Sequence, residues 1–287
     1  SVDVGAGGYE KRVKATREVH VRVGALACGA LGALWLLVGC GSSNARNSGS
    51  NDFTDYEPKL LEEPLAVHRS RTRLARYGTY TVAYHIDWRQ PQWVAYRLDA
   101  MRLAEVVDRR GVGFHSDPLL KNYTLDGANF KGTGYSRGHL KPAADSRSSR
   151  TAMQECFYYS NVSPQLPGFN SGSWNRLEMW VRRCAGKTDM LYVATGPCFL
   201  GTSKGRMGST GVPVATHFYK ALLRRDGNAW SAVGFVLPHS ESRLDGLWQC
   251  AVSIDSLERL TEIDFFPLLA DSVERVVEAN FDRSVWR

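Results

Sequence analysis

From residue 79 onward the apolar positions alternate with polar ones over short runs, the period of a strand with one face turned inward. Residues 79–86 (TYTVAYHI) and 92–98 (QWVAYRL), separated by Arg89, Gln90 and Pro91, predict an opening hairpin. Strand-like runs return at Met190–Thr195, Val214–Leu223, Ala229–Leu237 and Trp248–Ile254, with Gly/Ser/Pro turns between them and a loose loop over 201–213. Phe157–Tyr159 predicts a short aromatic strand. The period changes at Trp174–Cys184, where Trp174, Leu177, Trp180 and Val181 fall at i, i+3, i+6 and i+7. That spacing predicts a helix, with Asn170 or Ser171 placed to cap its N-terminus. Thr151–Glu155 and Asp255–Thr261 predict two shorter helices. With no repeat, heptad pattern or Walker-type phosphate loop, the reading is an α+β domain built on an antiparallel sheet.

The N-terminal part has a different character. Lys11, Arg12, Lys14, Arg17 and Arg22 precede an apolar, Gly/Ala/Leu-rich run, Val23–Gly39, which ends in Leu-Val-Gly-Cys at Cys40. A basic region, an apolar region and small residues before a cut describe a secretory signal. The last four residues resemble a bacterial lipobox, which implies lipidation of Cys40 and a cell-envelope protein facing periplasm or exterior. The expected organisation is a signal over residues 1–39, a lipid-anchored tether over 40–65 and one domain over 66–287. The Ser/Asn/Gly-rich start of that tether lacks the apolar residues that would offset its ordering entropy.

Net charge is +7 for the whole chain and +5 once residues 1–39 are removed. That is compatible with a polyanionic partner without requiring one. Four cysteines remain beyond Cys40, namely Cys156, Cys184, Cys198 and Cys250. They permit two disulfides or four buried thiols, and no C-x-x-C spacing points to zinc.

The chemistry concentrates between Gly134 and Arg183. There, GYSRGHLKPAADS is followed by FYYSNVSPQLPGFNSGSWNRLEMWVRR. A neutral imidazole, an amide, a carboxylate and guanidiniums suit metal-assisted attack on a phosphodiester. The imidazole takes a proton from water, the amide oxygen holds a hard cation, and arginine meets the extra negative charge. Ser136-Arg137-Gly138-His139, the downstream Asn161-Val-Ser-Pro-Gln and the Asn170…Trp174…Leu177-Glu178 segment together resemble the DNA/RNA non-specific endonucleases of the ββα-metal type, the endonuclease G-like group. The resemblance runs from about Tyr77 to Pro267. It implies a ββα-metal (His-Me finger) fold with a central antiparallel sheet flanked by helices, and cleavage of DNA and/or RNA without strong sequence preference.

The resemblance also implies roles. His139 is the general base, Asn170 the direct ligand of Mg²⁺ (with Mn²⁺ a substitute), and Glu178 reaches the metal through water. Arg182 sits near the leaving group, Arg137 contacts phosphate, and Asn161 holds the histidine loop. Arg110, four residues before Phe114, matches an arginine that grips the scissile phosphate, with Arg109 the runner-up. Ser136 departs from the family, which usually has Asp there. The same serine completes Gly134-x-Ser136-x-Gly138, so a serine esterase with a nucleophile elbow is an alternative. A catalytically silent nucleic-acid-binding lipoprotein is another. Oligomeric state is left open.

Overall fold

The structure, a computed structural model, describes residues 56–66, 71–104, 106–201 and 204–287. The signal, Cys40 and the tether up to residue 55 lie outside them. No helix among the described residues is long and apolar enough to cross a membrane.

Strands β1 (Leu65–Ala66), β2 (Thr72–Arg76), β3 (Thr81–His85) and β4 (Gln90–Leu98) come first. The pair β5 (Ser136–His139) and β6 (Val162–Gln165) follows, then β7 (Met190–Cys198) and the small pair β8 (Arg206–Met207) and β9 (Val212–Pro213). The last four strands are β10 (His217–Asp226), β11 (Ala229–Pro238), β12 (Ala251–Val252) and β13 (Ile263–Asp264). Seven of them form one antiparallel sheet in the order β12-β11-β10-β7-β4-β3-β2. The long β10–β11 hairpin closes through Gly227 and Asn228, and Gly227 adopts the positive φ of 55° that a two-residue turn demands.

Both faces of this sheet are covered, which is why its central strands read as nearly continuous apolar runs. On one face Val94, Tyr96, Leu98, Leu191, Val193, Phe218 and Leu222 pack against Trp174, Leu177 and Val181 of the helical layer. On the other, Trp93, Ala95, Tyr192, Ala194, Tyr219, Ala221 and Leu223 meet Ile254, Leu257, Phe265, Phe266 and Val277. The alternation of neighbours between the two faces is the period-two signal made physical. Each fully buried large side chain contributes about 1.5–3 kcal/mol.

Three expectations change in three dimensions. Phe157–Tyr159 is not a strand: Tyr158 makes a lone bridge to His115, and Tyr159–Asn161 is a turn of 3₁₀ helix. Of Trp248–Ile254 only Ala251–Val252 pairs as a strand, after a 3₁₀ turn over Leu247–Cys250. The end of the supposed tether belongs to the domain. Tyr56 and Glu63 are buried, and β1 pairs with β13. Glu63 accepts from Arg76 at 2.7 and 2.9 Å, from Thr81 at 2.8 Å and from the Lys59 amide at 2.8 Å. The four cysteines downstream of Cys40 carry free thiols, three of them buried.

Candidate active site

Strands β5 and β6 pair antiparallel, with His139 opposite Val162, and the chain then enters a helical segment running from Pro167 to Ala185. Two strands and a helix thus form one compact unit, and His139 sits at the end of the first strand. Pro167 occupies the opening helical position, where a missing N–H costs nothing. The Leu166 amide donates to Nε2 of buried His239 at 2.7 Å, whose Nδ1 contacts the Ala215 carbonyl at 2.8 Å. Accepting at Nε2 requires the neutral ring, and burial pushes the His239 pKa down to about 4.

Asn170 does not cap this helix. It already has helical backbone angles, φ −57° and ψ −49°, and begins a five-residue π-turn, Asn170–Trp174, that leads into α1 (Asn175–Ala185). Two regular turns hold 7.2 residues, so an eight-residue separation leaves Asn170 and Glu178 nearly one residue, about 80°, out of line. A π-turn accommodates one extra residue. The insertion cancels the excess, and both side chains line the same cleft.

The cleft has a volume of about 860 Å³. His139, Asn170 and Glu178 line it together with Arg109, Arg137, Arg182 and Ser136. The His139 ring is half-buried between Phe114 and Phe157, each with ring centroid 4.8 Å away. Burial first, then the charges of Arg109 and Arg137, push its pKa down to about 3, so the imidazole is neutral. Its Nε2 is buried and has no hydrogen-bond partner among the described residues. Arg137 lies 4.6 Å over the Phe114 ring and Arg109 lies 5.4 Å over Phe157, so the aromatics that fix the histidine also support two cations.

Arg109, not Arg110, enters the cleft. Arg110 is turned into solvent: its amide donates to Asp108 at 2.8 Å and its guanidinium folds back onto the same carboxylate. Arg182 reaches the cleft but is held at 2.8 Å by buried Asp145, whose other oxygen accepts from the Tyr96 hydroxyl at 3.0 Å. Asn161 stays out of the cleft. Fully buried, it accepts from the Lys141 amide at 2.9 Å and donates to the carbonyls of Lys141 at 2.9 Å and Cys156 at 2.8 Å. It therefore positions the backbone immediately after His139 rather than touching substrate.

Sequence reasoning passed over Asp145 and, beneath the cleft, a second charged group. Lys220, between Phe218 and Leu222 on β10, points to the same face of the sheet and is fully buried beneath the cleft. Its ammonium donates to the Leu140 carbonyl and to Thr195, both at 3.3 Å, and lies 4.4 Å from the centre of the Trp174 ring. Burial drives the Glu178 carboxyl upward, while Lys220 acts against that rise. The signal was a lone cation inside an apolar strand run.

The serine-elbow alternative fails on geometry. A nucleophile elbow is a tight strand-to-helix turn with the serine at its apex. Ser136 instead opens strand β5, extended and paired with Gln165, and the chain continues as strand through His139.

A neutral unpartnered imidazole, oxygen donors on one helix face and arginines around them describe a site for a metal-assisted reaction on a phosphate ester. The comparisons agree. A DNA/RNA non-specific endonuclease family profile matches residues 64–272. The mitochondrial nuclease EXOG of Danio rerio is 34% identical over 237 residues, 75% of this chain and 69% of that protein. Human mitochondrial endonuclease G is 33% identical over 217 residues, 68% of this chain and 73% of the relative. A solved EndoG/EndoGI complex superposes with a TM-score of 0.65 at 30% identity, covering 69% of this chain and 86% of that one. With the profile spanning most of the chain and the fold shared, the chain belongs to the DNA/RNA non-specific endonuclease family.

Proposed function

We propose that this protein is an endonuclease that hydrolyses phosphodiester bonds of DNA and/or RNA without strong sequence specificity, with His139 as general base and Mg²⁺ as the metal. The observation that carries this reading is the neutral imidazole of His139 lining a cleft shared with Asn170, Glu178 and three arginines. The family is divalent-metal dependent. The residues present fit a hard cation: the Asn170 amide and the Glu178 carboxylate offer oxygen, and among the described residues no thiol or second imidazole lines the cleft. Asn170 would hold the ion directly and Glu178 through its water shell. When bound, the ion supplies Lewis-acid stabilisation of charge on the phosphate oxygens.

The chain's own residues do the rest. Arg109 and Arg137 bind the scissile phosphate, their guanidiniums held against aromatic rings. The His139 imidazole accepts the proton of the attacking water, its depressed pKa keeping the ring neutral at any pH near neutrality. Arg182, oriented by Asp145, meets negative charge as the P–O bond breaks. Lys220 opposes from behind, without cancelling, the burial that pushes the Glu178 carboxyl up to about 8. Ser136 supplies a hydroxyl in place of the usual carboxylate, so less negative charge surrounds the metal waters.

The test is cleavage of plasmid DNA and of RNA. Excess EDTA should abolish it, Mg²⁺ should restore it, and His139→Ala should reduce the rate roughly 10²–10⁴-fold with the melting temperature held. Parental activity in EDTA or in His139→Ala overturns the reading.

For its address we propose lipid attachment at Cys40, a reading that rests on the sequence of residues 1–55. The relatives EXOG and endonuclease G are named as mitochondrial, which gives the competing outcome. Recovery in the membrane fraction that Cys40→Ala abolishes supports the anchor. An unmodified chain in the soluble fraction refutes it.

A further inference from the structure

On the sheet face opposite the cleft, α2 (Ile254–Thr261) packs beside α3 (Asp271–Val277). Asp255 lies in the first turn of α2 and Glu258 is one turn on, so their side chains share a face. Glu278 ends α3, and its carbonyl accepts from the Asp255 amide at 3.1 Å, fixing the two helices side by side. One carboxylate oxygen from each of the three residues lies within 4.8 Å of the others.

Glu278 is 5% exposed, and its Oε1 is buried with no hydrogen-bond partner. Glu258 is anchored, its Oε1 accepting from the Phe265 amide at 2.8 Å. The basic residues of these helices bond elsewhere: Arg259 donates to Ser256 and Arg275 to the Asp271 carbonyl. Burial, reinforced by Asp264, Asp255 and Glu274, pushes Glu258 up to about 8. Burial, with Glu258, Glu274 and Asp264, pushes Glu278 up to about 10. An unpartnered buried oxygen among like charges calls for a cation.

We propose that Asp255, Glu258 and Glu278 bind a divalent cation of the Ca²⁺ type, which joins α2 to the end of α3. Three carboxylates at this spacing suit Ca²⁺, which takes many oxygen ligands in flexible geometry. Mg²⁺ demands a tight octahedron and keeps most of its water. Half-buried Asp255 and Glu258 leave room for water to complete the shell. The site is structural and distinct from the cleft, and it stands whether or not the proposed nuclease mechanism does.

The experiment uses EDTA-stripped full chain carrying Asn170→Ala, so that the cleft contributes nothing, melted at neutral pH with increasing CaCl₂ or MgCl₂. Calcium at about a hundredfold excess over its Kd should raise the melting temperature by roughly 5–10 °C, and magnesium by less. Adding Glu278→Gln should remove the rise, and Asp255→Asn, at a more exposed ligand, should do the same if the first variant fails to fold. No rise with calcium, or an equal rise in the foldable variants, overturns the proposal.

Discussion

Arg109 and Arg110 are neighbours with opposite fates. Spacing to Phe114 favoured Arg110, but spacing does not say which side chain an adjacent carboxylate captures. Asp108 takes Arg110, and the Phe157 ring takes Arg109. Arg109→Ala should therefore lower kcat/KM on DNA by roughly ten- to a hundredfold, the range of a hydrogen bond to a charged group. Arg110→Ala should stay within about twofold, and equal losses would place both in the cleft. Lys220 carries a second prediction at this scale. Its charge lowers the Glu178 pKa, so Lys220→Met raises it, and a smaller fraction of Glu178 is ionised at any given pH. The acid limb of the kcat/KM profile should move to higher pH, and activity lost near neutrality should return as pH rises. A uniform loss at every pH would make Lys220 merely structural.

The elements explain residues that look incidental in the sequence. Gly138, between Arg137 and His139, is buried in β5 facing the Gln165 side chain, and a Cβ there would lie 2.2 Å from Gln165 Cδ and Oε1. Gln165 is itself fully buried, so making room means repacking its neighbours. Gly138→Ala should cost about 1–3 kcal/mol as overpacking and displace His139, reducing cleavage beyond what unfolding explains. Thermal melts and rates on the folded fraction check both parts; a parental melting temperature and rate would show that Gln165 repacks freely. The π-turn acts at the same scale. It turns an eight-residue spacing into alignment, which no single residue of Asn170–Trp174 could do alone.

For the molecule as a whole, the two-faced sheet separates tasks. The ββα unit and its cleft occupy one side, and α2 and α3 the other. The segment 56–66 is tied to the domain at Glu63. Burial alone would raise this carboxyl, but Arg76, the Lys59 amide and Thr81 outweigh it and hold its pKa below the usual value. A depressed folded pKa gives stability that is present above the unfolded value, 4.5, and lost as pH falls through the folded one. Glu63→Gln should thus cost about 1.5–3 kcal/mol at pH 7. The gap to the parent should narrow below pH 4.5, as urea melts at pH 7 and in acid would reveal. A constant gap would mean packing, not charge, holds the segment.

The sequence by itself determined the antiparallel α+β class, the family and the group His139, Asn170, Glu178, Arg137 and Arg182. These rest on periodicity and on linked motifs, which are local properties of the chain. Tertiary structure decided what depends on neighbours distant in sequence. Which arginine turns inward depended on Asp108 and Phe157. That Asn161 holds the histidine loop was implied by the resemblance; the structure supplied its partners, Lys141 and Cys156. Lys220 became part of the site only because β10 lies beneath Leu140 and Trp174. The π-turn, too, belongs here, since periodicity predicts a regular helix and tertiary packing selects the extra residue. Side-chain direction is set by competition among partners, and the partners meet only when the chain folds.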